Sequence, residues 1–243
     1  MQVCRVKDRF CVCKAGNSRG GREERNLVMI IELVQKNDAR YQETCFLADN
    51  IYRLELGVSP TSFPPSYLIL LDGDIVVGGL GFWSGDQKEE FLTERYCSKT
   101  NLSGFFPDGI IPSREHLGEI CSYFLLKPYR KEFFCTILSA MVEYVWVIDI
   151  NFLFVIKIPT VQKQFNHLGI KLMYLCDPDI NKYDGSELDK SRWLGRYFKL
   201  NPKCCLIDVY QALLGIGNRR SNPYFLPSFE YGDKLSFLLG KGQ

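Results

Sequence analysis

Several things are missing from this sequence, and each absence excludes a class of protein. There is no run of about 18 consecutive apolar residues, the length a membrane-spanning helix needs. Runs such as Tyr144–Ile148 and Phe152–Ile156 are stopped by Asp149, Asn151 and Lys157. There is no secretory apolar segment at the beginning, because Arg5, Lys7, Asp8 and Arg9 interrupt it at once. There is no charge excess: 30 Lys and Arg against 28 Asp and Glu leave a formal +2, so no nucleic-acid partner is expected. There is no CxxC pair, and only His116 and His167 could add imidazole, so no metal is expected. Cys11 and Cys13, with Cys4 upstream, are the one alternative for a structural zinc. The ten cysteines stand mostly alone in apolar runs, as Cys45, Cys121, Cys135 and Cys176 do. That is the pattern of reduced core thiols in a cytoplasmic protein.

What is present is a core. At 243 residues, 46% hydrophobic and 24% charged, the chain has the composition of one sizeable globular domain. Residues 1–28 carry seven Lys or Arg and the run AGNSRGGREER, and read as a disordered basic leader. The alternative is a basic arm that touches lipid or nucleic acid, and Met29 is a second candidate start. Residues 29–216 form the expected domain. Residues 217–243, rich in Gly, Pro and aromatics, are a tail that packs on the domain or stays loose.

In chain order, Tyr41, Cys45, Ala48, Ile51 and Tyr52 mark a helical stripe that Gly57 ends. The prolines of SPTSFPP break the chain, and SYLILL and IVVGGLGFW flank Asp72-Gly73-Asp74 as a hairpin. Gly78, Gly79 and Gly81 mark a bulge or a close backbone approach. Residues 86–97 read as a short helix begun by Asp86, and residues 98–114 as a long loop, either functional or a surface insertion. A central strand from Leu117 follows, then a long helix with Ile137, Leu138, Met141 and Val145 on its apolar stripe. Asn151–Ile158 is a strand, Pro159 opens a helix that Gly169 ends, and Ile170–Cys176 is a strand. Residues 177–202 read as irregular, and CCLIDVYQALLGI as one apolar segment. This order gives an α/β sandwich with a mixed sheet.

Two placements are costly unless something uses them. Glu119 lies inside an apolar strand, where a carboxylate has a raised pKa or a cationic partner. It is either a functional acid or the buried half of an ion pair with Arg114 or Arg95. Lys127, Arg130 and Lys131 crowd the start of the long helix, the wrong end of its dipole for cations. A bound phosphate would remove that conflict; three solvated side chains would tolerate it.

The segments FLTERYC, SREHLGEICSYFL, FNHLGI, CDPDI and WLGRYF, ending at NP, resemble in order and spacing the boxes of the thermostable haemolysin family. Those boxes are Phe-Leu-x-Glu-x-Tyr, an Arg five residues before Glu-x-Gly-Asn-Leu, Arg-Leu-Gly and Trp-Gly-x-Tyr-Tyr. The resemblance covers about residues 40–216 and maps onto Glu94, Tyr96, Arg114, Glu119, Gly169, Asp177, Trp193, Gly195 and Tyr197. The chain departs from it where Cys121 and Ser122 replace Gly-Asn, His167 replaces Arg, and Leu194 separates Trp193 from Gly195.

The family in turn is similar to the GNAT-type acyltransferases, near the acyl-homoserine-lactone synthases. The resemblance implies a GNAT-like three-layer α/β/α sandwich around a mixed, mostly antiparallel sheet. It implies transfer of an acyl group from acyl-CoA or acyl-carrier protein to a small amine, with Glu119, Arg114 and Glu94 as catalytic residues. Lys127, Arg130, Lys131 and Ser122 would bind the donor, and no cofactor would be tightly held. GNAT proteins hold the coenzyme A diphosphate on glycine amides after the central strand. Here that turn is Leu-Lys-Pro-Tyr-Arg-Lys, which has no glycine, and a phosphopantetheine arm on a carrier protein needs fewer amides. The alternatives are a membrane-active haemolysin, as the family name implies, or a degenerate fold that only binds.

Overall fold

The computed structural model describes residues 9–13, 28–183 and 185–220. The sheet starts with β1 (Arg9–Cys13) and β2 (Val28–Gln35). Helix α1 (Ala39–Leu56) leads to the hairpin of β3 (Ser66–Asp72) and β4 (Ile75–Ser84). A short helix α2 (Leu92–Tyr96) and several single 3-10 turns precede β5 (Leu117–Leu125) and the long α3 (Lys127–Val147). Then come β6 (Phe152–Lys157), α4 (Gln162–Leu168) and β7 (Met173–Cys176). Helix α5 (Glu187–Gly195), β8 (Lys203–Asp208) and α6 (Val209–Arg220) complete it.

The strand order is β1-β2-β3-β4-β5-β6-β8-β7. Every pairing is antiparallel except β5 with β6. A parallel pair needs a crossover, and α3 supplies it. Alternation along the strands sends side chains to two cores. On one face Ile137, Leu138, Met141 and Val145 of α3 meet Leu68, Leu70, Leu80, Leu153 and Val155. On the other, Tyr41, Cys45, Ala48 and Ile51 of α1 meet Tyr67, Ile69, Leu71 and Phe124. Farther along that second face, Phe91, Tyr96 and Phe106 cover Leu117, Phe154 and Leu206. The result is the mixed, mostly antiparallel three-layer sandwich that the sequence implied.

Several local expectations hold for stated reasons. Gly57 ends α1 in the left-handed region at φ 71°, and its N–H donates to the Arg53 carbonyl at 2.9 Å. Gly81 makes a close approach: a Cβ there would lie 2.4 Å from Pro64 Cγ.

Others need correction. Helix α2 begins at Leu92 rather than at Asp86. Its first amides find their acceptors there, on two carboxylates described below. The stretch read as irregular contains α5, whose start is capped by Ser186 Oγ accepting from Asp189 N–H at 3.1 Å. The segment CCLIDVYQALLGI is two elements, β8 and α6, divided where Asp208 Oδ1 accepts from Gln211 N–H at 2.9 Å. Helix α6 runs on to Arg220, so the first residues of the supposed tail are helical, and residues 221–243 lie outside the described residues. Within the leader, Arg9–Cys13 pair with β2, because RFCVC is rich in strand formers and β2 offers an edge. The remainder of the leader, and with it Cys4, lies outside the described residues.

The reading of all cysteines as reduced also changes. Cys97 and Cys176, 79 residues apart, are joined by a disulfide with Cα atoms 6.0 Å apart. It ties the end of α2 to the edge strand β7. Their spacing carried no signal because only the sheet order brings them together.

Helices α4 and α6 meet backbone to backbone. A Cβ on Gly215 would lie 2.2 Å from the Gly169 carbonyl oxygen, whereas a Cβ on Gly217 would meet nothing within 4 Å. Gly215→Ala is therefore expected to cost about 1–3 kcal/mol by overpacking. Gly217→Ala is expected to be neutral, or to stabilise by up to about 1 kcal/mol through helix propensity. Urea unfolding of both variants checks this, and equal midpoints would show that the two helices are not in contact.

Candidate functional site

The site begins with one extra residue. Between β4 and β5, Gly79 faces Phe124 and Gly81 faces Cys121, so β5 carries one more residue than its partner. Ser122 sits there at φ 48°, a left-handed conformation that costs an ordinary residue about 1–2 kcal/mol. The bulge reverses the alternation. Ile120 faces the α3 core, and beyond the bulge Tyr123 and Leu125 face it too, while Phe124 turns to the α1 core. Simple alternation would have set Tyr123 and Leu125 beside Glu119.

At the same place β5 parts from β6. The two pair from Leu117 with Phe152 to Ile120 with Val155, and pairing then stops although both strands continue. The parting opens a pocket of about 410 Å³. It is lined by Ile120–Leu125 and Val155–Ile158, by Ile51, Tyr52 and Glu55 of α1, and by Arg130, Phe134 and Leu138 of α3. Phe165 and Gln164 of α4 and Tyr197 complete much of the wall. Most of the wall is apolar, with Glu55, Ser122, Arg130, Lys157, Thr160 and Gln164 and the tyrosines Tyr52, Tyr123 and Tyr197 as its polar members. Burial pushes the Cys121 thiol and the Tyr52 and Tyr197 hydroxyls far up, so all three stay protonated at neutral pH.

Three residues before Ser122 stands Glu119, 2% exposed. Its Oε1 accepts from Thr93 N–H at 2.7 Å and Thr93 Oγ1 at 2.8 Å, and its Oε2 from Leu92 N–H at 3.1 Å. Lys88 Nζ lies 3.7 Å away. A carboxylate from the sheet thus satisfies the first amides of α2, where helix donors have no partner of their own. Burial pushes its pKa up, against the pull of Lys88 and of the Thr93 and Leu92 bonds. Glu94 works from the other side, accepting Phe91 N–H at 2.7 Å. Arg114 Nη1 lies 2.7 and 2.8 Å from the two Glu94 oxygens, its Nη2 donates to the Lys88 carbonyl at 2.8 Å, and its guanidinium covers Phe91 at 4.1 Å.

The structure therefore gathers Glu119, Glu94 and Arg114 around α2, with Lys88 and Thr93 as members that sequence reasoning missed. The expected ion pair of Glu119 with Arg114 or Arg95 is replaced by Lys88 and the helix amides. Arg114 is spent on Glu94, and Arg95 pairs with Glu90 at 2.9 Å. Glu119 is not among the residues that line the pocket.

The donor-binding candidates lie at the other end of β5. Ser122 and Arg130 line the pocket. Arg130 is turned back: its Nε donates to the Leu125 carbonyl at 2.7 Å and its Nη2 pairs with Glu55. Lys127 is exposed, and the Lys131 side chain lies outside what the structure describes. Helix α3 follows β5 with Leu126 as its N-cap and a proline in the first turn, so no glycine loop intervenes.

A family model for thermostable hemolysin matches residues 34–213, well over half of the chain. The chain belongs to the thermostable hemolysin family. No curated protein sequence matches it. Among solved structures, the CoA-dependent acyl-homoserine lactone synthase BjaI, solved with SAM and isopentyl-CoA, has a similar fold. The TM-score is 0.56 at 16% identity, over 86% of this chain and 98% of that one. FeeM, an N-acyl amino acid synthase from uncultured soil microbes, gives 0.53 at 10% identity over 80% and 98%. TofI, in a ternary complex with an inhibitor and MTA, gives 0.50 at 15% over 77% and 96%. At these identities the likeness is one of fold, the GNAT-like sandwich. In the resemblance, Ser122 stands where the family's box has Asn, a residue that tolerates the left-handed region.

Ser122→Asn is accordingly expected to stabilise by up to about 1 kcal/mol, or some 2–4 °C in Tm; a lower Tm would show that the bulge is not left-handed. Glu119→Gln puts an amide donor against donors and is expected to cost about 1–3 kcal/mol. The pH dependence gives a second readout. The folded pKa of Glu119 lies above its ordinary value of 4.5, so the folded chain holds the proton more tightly than the unfolded one. Wild-type stability should then fall as pH rises from about 4.5 through the raised pKa. The Gln variant should lack that slope, and denaturant titrations at several pH values would refute the assignment if the two slopes matched.

Proposed function

We propose that this chain is an acyltransferase that moves an acyl group from a thioester donor, acyl-CoA or acyl-carrier protein, to a small amine. The observation that carries the reading is the parting of β5 and β6 beyond Ile120 and Val155. A pantetheine arm is thin, carries two amides and ends in the reactive sulfur. Two separated strand edges can pair with it as they would with an added strand. The apolar wall of Leu80, Phe134, Leu138 and Phe165 suits an acyl chain. The Ser122 bulge leaves one residue of β5 outside the β4 ladder, which suits polarisation of the thioester carbonyl. The fold shared with BjaI and FeeM supports the same class.

In the reaction the amine nitrogen attacks the thioester carbonyl, the C–N bond forms, the C–S bond breaks, and the thiol leaves with a proton. Lys127, exposed at the start of α3, serves the phosphate of the arm with Lys131 nearby in sequence, and Arg130 joins them by leaving Glu55 and the Leu125 carbonyl, which hold it in the free chain. Glu119, Glu94 and Arg114 act through α2 as positioning residues, because their donors and acceptors are already engaged with that helix. The donor is a substrate, and the reading needs no tightly bound cofactor. Transfer is direct: the Cys121 thiol, held protonated by burial, is a poor nucleophile.

The test is mass spectrometry of N-acylated products after incubation with acyl-CoA or acyl-carrier protein and a panel of small amines. Wild type is expected to form product with no acyl-protein adduct, and Cys121→Ala to keep most of that turnover. Gln164→Trp, at a half-buried position on the pocket wall, is expected to cut turnover roughly tenfold to a hundredfold with the fold intact. Absence of any product, together with dye release from liposomes without thioester, would replace this reading with a membrane-active one. Among the described residues no helix is long and apolar enough to cross a membrane.

A further inference from the structure

Three sulfurs meet beside α2, and the acyl-transfer reading uses none of them. Cys97 caps the C-terminus of α2, Cys176 ends β7, and Cys204 faces Cys176 across the β7–β8 pair. Their Sγ atoms all lie within 4.8 Å of one another. Cys97 and Cys204 are buried and Cys176 is half-buried, which leaves one side open for entry. The disulfide accounts for Cys97 and Cys176 but not for the third sulfur, which stays a free thiol beside them.

Three sulfur donors on three separate elements, gathered in an apolar setting, form a ligand set for a soft ion. Thiolates favour Zn²⁺ and Cu⁺, whereas Ca²⁺ and Mg²⁺ need oxygen ligands. We propose that Cys97, Cys176 and Cys204 are a thiolate site for a soft d¹⁰ cation, formed when the Cys97–Cys176 disulfide is reduced. A dithiol reductant delivers two electrons and two protons to that bond and is itself left as a disulfide. The cation then displaces protons from the three thiols. In either state the end of α2 stays fastened to β7, by the disulfide or through the ion. It is released only in the reduced, metal-free chain. The site is independent of the acyl-transfer reading.

The full chain, reduced and incubated with Zn²⁺, is desalted and its zinc counted by elemental mass spectrometry. About one ion per chain is expected for wild type, and none above background for the oxidised chain. Cys204→Ser should hold none, while Cys205→Ser, one residue on and facing the α3 core, should hold as much as wild type. Cd²⁺ provides a second readout, since its thiolate charge-transfer absorbance should vanish in Cys204→Ser. Should Cys204→Ser fail to fold, Cys176→Ser at the half-buried edge replaces it. Reduced wild type that retains no zinc would overturn the proposal. So would Cys204→Ser or Cys176→Ser retaining as much as wild type, which would place the ion on other cysteines.

Discussion

The constraint on which the rest depends is that β5 cannot stay paired with both of its neighbours. Along Leu117–Ile120 it is held by β4 on one side and β6 on the other. At Ser122 the bulge keeps it on β4 and turns it away from β6. Leaving backbone donors and acceptors of two central strands without ladder partners is expensive, about 1–3 kcal/mol for each group that water cannot reach. A fold carries such a gap only where water or a ligand fills it. The pocket is the consequence of that parting, and its wall is drawn from every helix that packs around the gap. The left-handed Ser122 and the unpaired edges are thus two aspects of one distortion.

The second organising feature works by contrast through full satisfaction. Glu119 is buried, yet its oxygens meet two backbone amides, a hydroxyl and an ammonium. Helix α2 is too short to be stable alone. It is fastened at its start by Glu119, Glu94 and Arg114, and at its end by Cys97. Because Glu119 and Cys121 are two residues apart on one strand, anything that moves α2 also bears on the edge of the pocket. In this chain Glu119, Glu94 and Arg114 thus have a physical role in fastening α2.

Much of the fold was legible in the sequence, and what was not has identifiable causes. The stripe of α1, the Asp72-Gly73 hairpin and the long α3 follow from periodicity and turn chemistry, and the crossover implied a mixed sheet. The costly placement of Glu119 was also legible, as an acid that needs partners. Its partners were not, because the Leu92 and Thr93 amides become available only once α2 starts at that point. The bulge left no trace either: Ser carries no left-handed signal, whereas Asn at the same position would have. Without the bulge, alternation assigns Tyr123 and Leu125 to the wrong core. Arg130 looked like a free cation at a helix start, and its engagement by Glu55, 75 residues earlier, is a tertiary fact. The Cys97–Cys176 bridge is invisible for the same reason.

The central claim is that the parted edges of β5 and β6 receive the arm of a thioester donor. Amide hydrogen exchange, read with and without a non-hydrolysable acyl-pantetheine analogue, tests it most directly. Within Ser122–Leu125 and Ile156–Ile158, the amides that face the gap, as opposed to the β4 and β8 ladders, are expected to exchange quickly in the free chain and to become protected on addition of the analogue, while Leu92 and Thr93 are protected throughout. Protection of the gap-facing amides in the free chain, or ligand protection confined to other surfaces, would contradict it.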